Sequence, residues 1–307
     1  MKVVLCAYHE MGCAALESLQ EVGFEVVCVF THAGAHQENS FFDSVEAMAL
    51  QQQIPVFCPG DINTPEWIAK VASLQPDAIL TLSYRQTLSP ALIATAKKGA
   101  FNVHASLLPA YRGRAHLNWV IIRNERETGV TLHRINDVPD GGPILAQSRV
   151  AITDEDEALS LHRKLVRTTR EQLPGWLRAL RAGSLIERAQ DESLASEPGQ
   201  RKPEDGQIHW RHSANEIHAL IRGVAYPWPG AYSLMGQQRF IVWKSRVITQ
   251  PHQHAPGSII SIDPLYIACG ENVLEIVAAG LSHHDNFSAA QLVQHFSLHV
   301  GIQLKSC

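Results

Sequence analysis

Positions 101–114 of the chain read FNVHASLLPAYRGR, where an apolar run leads directly into a polar loop with two arginines. Residues 99–104 have the composition of a buried strand. Asn102 and His104 are two residues apart, so on an extended strand their side chains leave the same face. An amide can hold a developing oxyanion there, and an imidazole can move a proton. An isolated Asn-x-His also fits a strand end with a structural histidine, but the longer string is more specific.

Outward from this strand, apolar runs alternate with helical patterns through the first half of the chain. The apolar runs lie at 3–7, 25–30, 54–58, 78–82 and 99–104, and the helical patterns at 12–22, 44–52, 65–74 and 90–97. This alternation predicts a doubly wound, mostly parallel, Rossmann-like α/β sheet. The strand at 99–104 would then deliver His104 to the carboxyl end of the sheet, where ligands bind in such folds. Further strands are predicted at 130–133 and 144–152, joined by a turn at 137–142.

The second half of the chain has a different pattern. Helical spacing predicts a long helix over 157–180, interrupted by Pro174, and a second helix over 213–222 that begins after Ser213 as its N-cap. Short β runs are predicted at 207–210, 239–245, 258–262, 265–269 and 273–277. Residues 1–183 are therefore predicted to form a catalytic domain, 184–205 a linker and 206–307 a C-terminal domain, with strands that suit a small barrel.

Composition narrows the functional classes. The 307 residues carry a net charge of -4, and no lysine or arginine occurs between Lys2 and Lys70. Nucleic acid is therefore not expected as a partner, because its phosphates need basic groups. The first residues have the pattern of a strand and not of a signal peptide, and no apolar run approaches the roughly 20 residues of a membrane span. We therefore expect a cytoplasmic protein without an integral membrane segment.

The sequence lacks the motifs of several cofactor-binding and metal-binding classes. The turn after the first apolar run has one glycine, Gly12, where a dinucleotide fingerprint needs three, and no phosphate loop ending in Gly-Lys-Ser/Thr occurs. The six cysteines show no Cys-x-x-Cys spacing. The histidine pairs at 252/254 and 283/284 do not have the spacing of metal ligands. No metal site is expected.

Residues 101–114, together with Asp140-Gly141-Gly142, resemble the signature of the 10-formyltetrahydrofolate-dependent formyltransferases. The chain looks most similar to the formyltransferase half of the bifunctional enzyme that modifies UDP-4-amino-4-deoxy-L-arabinose. Supporting strings are AYHEMGC at 7–13, VTLHR at 130–134 and PWPGA at 227–231. The resemblance covers nearly the full length and implies an OB-like barrel as the C-terminal domain.

The resemblance also implies the roles of individual residues. Asn102 and His104 would hold the formyl oxygen, and an ionised Asp140 would raise the pKa of His104 so that it can donate a proton. By itself Asp140 also fits a turn residue, because its neighbours are those that turns favour. Contacts to 10-formyltetrahydrofolate are implied at Gln86, Thr87, Leu88, Arg114, Asn136, Asp137, Val138, Pro139 and Asp140. At His116 close relatives have proline, and the sequence leaves open whether this side chain adjusts the start of a helix or touches the acceptor.

The implied acceptor is the 4-amino group of UDP-4-amino-4-deoxy-L-arabinose, which links the chain to lipid A and lipopolysaccharide biosynthesis and to polymyxin resistance. Alternatives are another nucleotide-linked amino sugar and, after that, methionyl-tRNA. Relatives that act on tRNA carry a basic insertion after the second strand, whereas residues 31–40 here contain no lysine or arginine. A folate-binding protein without catalysis is the non-enzymatic alternative. A fused or separate decarboxylase domain is a further partner that the resemblance implies.

Overall fold

The structure is a computed structural model that describes residues 1–32, 43–282 and 285–304. It divides into two compact units. The first contains Met1–His116, Glu127–Ala151 and Arg163–Pro198, and the second contains Leu117–Arg126, Ile152–His162 and Gly199–Cys307. The domain limits at 183 and 205 drawn from the sequence stay a prediction.

A seven-stranded sheet forms the centre of the first unit. Its strands are β1 (Lys2–Ala7), β2 (Glu25–Phe30), β3 (Val56–Phe57), β4 (Ala78–Leu82), β5 (Ala100–His104), β6 (Glu127–Arg134) and β7 (Ile144–Ala151). They lie in the order β3-β2-β1-β4-β5-β6-β7. The first five are parallel to one another, β6 runs antiparallel to β5, and β7 runs antiparallel to β6. The predicted mostly parallel, Rossmann-like sheet is thus confirmed.

Burial explains why the central strands could be predicted from the sequence. All five residues of β4 are buried, and so are the last five of β1. Strands covered on both faces read as continuous apolar runs, which is the pattern of a parallel sheet between layers of helices. The chain reverses its direction of winding between β1 and β4, since β2 and β3 lie to one side of β1 and β4 to the other. Ligands bind beside such a reversal in open α/β sheets.

Eight α-helices accompany the strands in the described residues. They are α1 (His9–Glu21), α2 (Val45–Gln51), α3 (Pro65–Leu74), α4 (Pro90–Ile93), α5 (His116–Ile122), α6 (Ala158–Ala182), α7 (Ala214–Val224) and α8 (Ala289–Phe296). Among them, none combines the length and apolar composition that crossing a bilayer requires. The sequence patterns did not predict α5 and α8.

The helix predicted over 90–97 is shorter than expected, because α4 ends at Ile93. The backbone N–H groups of Lys97 and Lys98 donate to the carbonyls of Pro76 and Asp77 instead of continuing the helix, at 3.2 and 2.7 Å. Tertiary hydrogen bonds have therefore replaced local ones. Ser213 does cap α7 as predicted, since its hydroxyl accepts from the N–H of Glu216 and the Glu216 side chain bonds back.

The second unit contains a smaller antiparallel sheet. Its strands are β8 (Ala231–Met235), β9 (Gln238–Ile248), β10 (Ile259–Ile262), β11 (Leu265–Ala268), β12 (Val273–Gly280) and β13 (Phe287–Ser288). The order is β10-β11-β12-β9-β8, and β13 pairs with β12. This confirms that the C-terminal domain is built on a small β sheet, as predicted. The strand predicted over 207–210 is wrong, because Gln207 makes only an isolated bridge to Tyr232. Trp210 is instead a fully buried core residue whose indole N–H donates to Ser233 at 2.9 Å.

Candidate active site

Three neighbouring strands bring three polar side chains into one row. Thr81 of β4 lies opposite Asn102 of β5, and Asn102 lies opposite His133 of β6. Residues directly opposite in adjacent strands project from the same face of a sheet. The row is therefore a consequence of strand register, and it is buried or half-buried throughout.

Hydrogen bonds fix the Asn102 amide within this row. The Thr81 hydroxyl donates to Asn102 Oδ1 at 2.7 Å, so the amide nitrogen faces the other way. Asn102 Nδ2 lies 3.1 Å from Asp140 Oδ1 and 3.1 Å from His133 Nε2. His133 Nδ1 lies 2.9 Å from the carbonyl of Arg134, which can only accept, so His133 Nε2 is the acceptor for Asn102. Both amide hydrogens thus have partners, and a formyl oxygen would replace one of them.

His104 is oriented by the loop that follows its own strand. The residue is 6% exposed, and its Nε2 lies 2.8 Å from the carbonyl of Tyr111. Because a carbonyl cannot donate, Nε2 carries the hydrogen, and Nδ1 of the neutral ring is free to take a proton. That Nδ1 lies 3.6 Å from Asp140 Oδ1. A proton accepted on Nδ1 would therefore create a cation beside a carboxylate.

Burial lowers the pKa of His104, and it outweighs the carboxylate of Asp140, which raises it. The carbonyl of Tyr111 also raises this pKa, and His133 lowers it. The effect of Asp140 therefore has the expected sign, but removing the ring from water destabilises the imidazolium by more than the carboxylate stabilises it. At neutral pH His104 is an uncharged imidazole.

Asp140 is held ionised by its partners. Burial by itself raises the pKa of this carboxyl, whereas the neighbouring His104 and His133 lower it. The N–H of Gly113 donates to Asp140 Oδ2 at 2.9 Å and acts in the same direction, so the pKa lies well below its usual range. Asp140 has a φ of 51°, in the left-handed region that few residues other than glycine adopt. An unusual backbone conformation at a carboxylate of this kind is typical of a functional position.

The glycine two residues after Asp140 has a steric cause. A Cβ on Gly142 would lie 1.8 Å from the carbonyl oxygen of Arg134, which excludes any side chain there. The turn can therefore pass close to the end of β6 only with glycine. This accounts for the last glycine of the Asp140-Gly141-Gly142 string.

The positions where the resemblance implied folate contacts lie in three loops. Gln86, Thr87 and Leu88 follow β4, Arg114 precedes α5, and residues 136–140 join β6 to β7. The Gln86 side chain holds the loop before α3, since it accepts from the N–H of Ile62 at 2.8 Å and donates to the carbonyl of Pro59 at 3.0 Å.

The other side chains of these loops differ in how they are held. Arg114 donates to the carbonyl of Arg85 at 2.9 Å, and Asn136 accepts from the N–H of Val138 at 3.0 Å. Leu88 is buried, whereas Val138 is 50% exposed. Folate binding by these loops stays a prediction.

Sequence reasoning assigned no role to several residues that lie around Asn102, His104 and Asp140. They are Thr81, Tyr111, Gly113, His133 and Gln190. A hydroxyl or imidazole within an otherwise apolar strand was the available signal for Thr81 and His133. The contributions of Tyr111 and Gly113 come from backbone groups, which carry no sequence signal.

The two arginines of residues 101–114 lie in different surroundings. Arg112 is 7% exposed and bonds to Gln190 and Glu192 within the protein, whereas Arg114 is exposed. His116 begins α5, and its ring centroid lies 4.6 Å from that of His104. Its Nδ1 lies 3.3 Å from the carbonyl of Gly113. The His116 ring therefore contacts the His104 ring directly.

Within the described residues no group of three or more histidine, cysteine, aspartate or glutamate side chains is arranged to hold a metal ion. Of the histidine pairs considered in the sequence, His283 and His284 lie outside the described residues. Most of the region 31–40 that bears on a tRNA acceptor lies outside them as well.

Comparison with known families identifies the family of the chain. Residues 4–177 match the formyl transferase family, and residues 201–297 match the C-terminal domain of formyl transferases. The chain belongs to the formyl transferase family. It is therefore a formyltransferase, and the row on β4, β5 and β6 lies within the matched residues 4–177.

Solved structures share the fold of this formyltransferase. A sugar 3N-formyltransferase named WlaRD, crystallised with dTDP and 5-N-formyl-THF, superposes with a TM-score of 0.70 at 20% identity, over 90% of this chain and 97% of that one. An N-formyltransferase from Helicobacter canadensis, in complex with folinic acid and dTDP-3-aminofucose, gives a TM-score of 0.71 at 19% identity, over 90% and 99%. HypX from Aquifex aeolicus, in complex with tetrahydrofolic acid, gives 0.64 at 15% identity, over 98% of this chain and 48% of HypX.

Proposed function

We propose that this formyltransferase transfers the formyl group of 10-formyltetrahydrofolate to the 4-amino group of UDP-4-amino-4-deoxy-L-arabinose. The observation that carries the chemistry is a neutral, buried imidazole at His104 beside an ionised Asp140, whose Oδ1 also accepts from the anchored Asn102 amide. The folate donor is supported by the sequence resemblance and by the ligands named for the structural neighbours.

The reaction needs an uncharged amine, a polarised carbonyl and a route for one proton. The amine nitrogen attacks the formyl carbon, a C–N bond forms, and the carbonyl oxygen becomes an oxyanion. The Asn102 amide is the donor for that oxygen, after exchanging its contact with Asp140 or His133. One donor of this kind contributes about 3 kcal/mol to the transition state.

The proton follows a path through His104. The nitrogen that attacked becomes positively charged and loses a proton, which His104 accepts on Nδ1. The resulting imidazolium is stabilised by the Asp140 carboxylate 3.6 Å away. It then returns the proton to N10 of the folate as the C–N10 bond breaks, so that N10 leaves as a neutral amine. His104 ends the cycle in the uncharged form in which it began.

The acceptor is the finer part of the proposal. The sequence strings favour the UDP-linked 4-amino sugar, and with it a role in lipid A modification. The neighbours that act on dTDP-linked amino sugars favour a second candidate, another nucleotide-linked amino sugar. Methionyl-tRNA is disfavoured, because residues 3–69 contain no lysine or arginine to contact phosphates.

A panel of acceptors tests both parts. The protein is given 10-formyltetrahydrofolate with the UDP- and dTDP-linked forms of 4-amino-4-deoxy-L-arabinose, with dTDP-3-aminofucose and with charged initiator tRNA. We expect the largest kcat/KM for the UDP-linked arabinose and only a modest salt dependence. Preference for a dTDP sugar would replace the acceptor and keep the chemistry. Formylation of tRNA alone would overturn the sugar assignment, and binding without turnover of any acceptor would overturn catalysis.

A further inference from the structure

Residues 188–197, which the composition predicted to be part of a linker, are hydrogen-bonded to the active-site loops. At one end Arg188 exchanges two backbone hydrogen bonds with Ile144, the first residue of β7, at 2.8 and 2.9 Å. At the other end the N–H of Arg112 donates to the carbonyl of Ser196 at 2.8 Å, and the N–H of Tyr111 donates to the Ser196 hydroxyl at 2.9 Å. We call residues 188–197 the strap. It is anchored both to the sheet and to the loop after β5.

Gln190 lies within the strap, and both the oxygen and the nitrogen of its side-chain amide form hydrogen bonds. Its Oε1 accepts from Arg112 Nη2 at 2.8 Å and from Arg112 Nε at 3.2 Å. Its Nε2 donates to the carbonyl of Asp140 at 2.6 Å and to that of Gly142 at 2.7 Å. A guanidinium only donates and a carbonyl only accepts, so the amide has one orientation that satisfies all four bonds.

These four bonds join the two loops that hold the reacting groups. On one side, the residue before Arg112 supplies the carbonyl that orients His104, and the residue after it supplies the N–H that binds the Asp140 carboxylate. On the other side, Gln190 holds the backbone of Asp140 itself, which has a left-handed conformation. A shift of either loop would change the separation between His104 Nδ1 and the carboxylate.

We propose that Gln190 is a positioning residue that sets the distance between Asp140 and His104. The proposal rests on the proposed function of these two residues in proton transfer. Gln190 acts through the backbone of Asp140 and the side chain of Arg112, and it does not touch the reacting atoms. The half-buried position of Gln190 and its four bonds distinguish it from Glu192, which bonds to the same guanidinium but has a side chain 68% exposed.

Three variants separate the roles of the strap. Gln190→Met removes all four bonds with little change in length and no new charge. Gln190→Glu keeps an acceptor for Arg112 but, when ionised, cannot donate to the carbonyls of Asp140 and Gly142. Glu192→Gln is the matched control, because it keeps an oxygen for Arg112 and touches neither carbonyl. We expect kcat to fall tenfold to a hundredfold in both Gln190 variants with KM within about twofold, and we expect the control to stay within about threefold.

A second measurement does not depend on the acceptor. The imidazole of His104 is faced by Asp140, His133 and His116, and its titration in ¹³C-labelled protein is assigned by comparison with His104→Gln. In Gln190→Met the carboxylate should move away, so His104 should titrate at lower pH than in the wild type, whereas in Glu192→Gln its titration should not change. If no acceptor is formylated by the wild type, the proposed function fails, and the titration still reports on Gln190.

Two results would overturn the proposal. One is wild-type kcat in Gln190→Glu together with an unchanged titration of His104 in Gln190→Met. The other is an equal loss of activity and of thermal stability in Glu192→Gln and the Gln190 variants, which would make the strap a general clamp. If Gln190→Met does not fold, Gln190→Glu is titrated in its place, and an unchanged His104 would count against the proposal.

Discussion

Replacing Asp140 by asparagine removes one charge and keeps the geometry of its loop. Asparagine tolerates a φ of 51° far better than alanine does, and it retains an oxygen that can accept from the N–H of Gly113. The change removes the charge that faces His104, and the NH2 group of the asparagine replaces the oxygen that accepts from Asn102 Nδ2.

The size of that effect follows from the distance. With 3.6 Å between Asp140 Oδ1 and His104 Nδ1, opposite unit charges at an effective dielectric constant of about 20 attract by about 5 kcal/mol. If the transition state carries most of the imidazolium charge, losing this attraction slows the reaction by about a hundredfold to a thousandfold. Asp140 raises the pKa of His104, so its removal lowers that pKa further. Because neutral His104 is the proton acceptor, the acidic limb of the rate profile should move to lower pH.

The assay is kcat against pH between about 4 and 9 for the wild type and Asp140→Asn, with saturating 10-formyltetrahydrofolate and acceptor. Thermal unfolding serves as a control and should be close to that of the wild type, and the Kd for 5-formyltetrahydrofolate is measured so that a loss of folate binding is distinguished from a loss of rate. A variant with a near-normal rate and an unmoved acidic limb would refute the reasoning and leave Asp140 as a turn residue. A lower rate with an unmoved acidic limb would show that Asp140 contributes to the rate without setting the pKa of His104.

Four further substitutions test the rest of the site and the second unit. Asn102→Ala and His104→Ala should each lower kcat about a hundredfold or more while the protein stays folded, and near-normal turnover in either would contradict its role. Thr81→Val keeps the shape of the side chain but frees the Asn102 amide to rotate, so kcat should fall about tenfold with little change in KM; equal losses in stability and activity would show only a packing role. Burial lowers the pKa of His218 to about 4, so its folded form binds a proton more weakly than the unfolded chain does, and the free energy of unfolding should fall as pH drops from about 6.5 to 4. Urea titrations of His218→Gln should show a shallower fall than the wild type or the exposed-site control His254→Gln.

The sequence alone determined the sheet and the pair of residues on its fifth strand. Continuous apolar runs report strands that are covered on both faces, and the alternation with helical patterns predicts the parallel order. Asn102 and His104 could be placed on one face because the period of a strand is two residues. Asp140 could be attached to them only through the family resemblance.

The tertiary structure decided how these groups are held. Asn102 meets residues 21, 31 and 38 positions away, and Gln190 reaches Asp140 across 50 positions. Such contacts depend on strand register and loop packing, which local periodicity does not encode. The same holds for the net pKa of His104: a carboxylate nearby could be anticipated from the motif, but the depth of burial that outweighs it exists only once the sheet and the loops have packed around the ring.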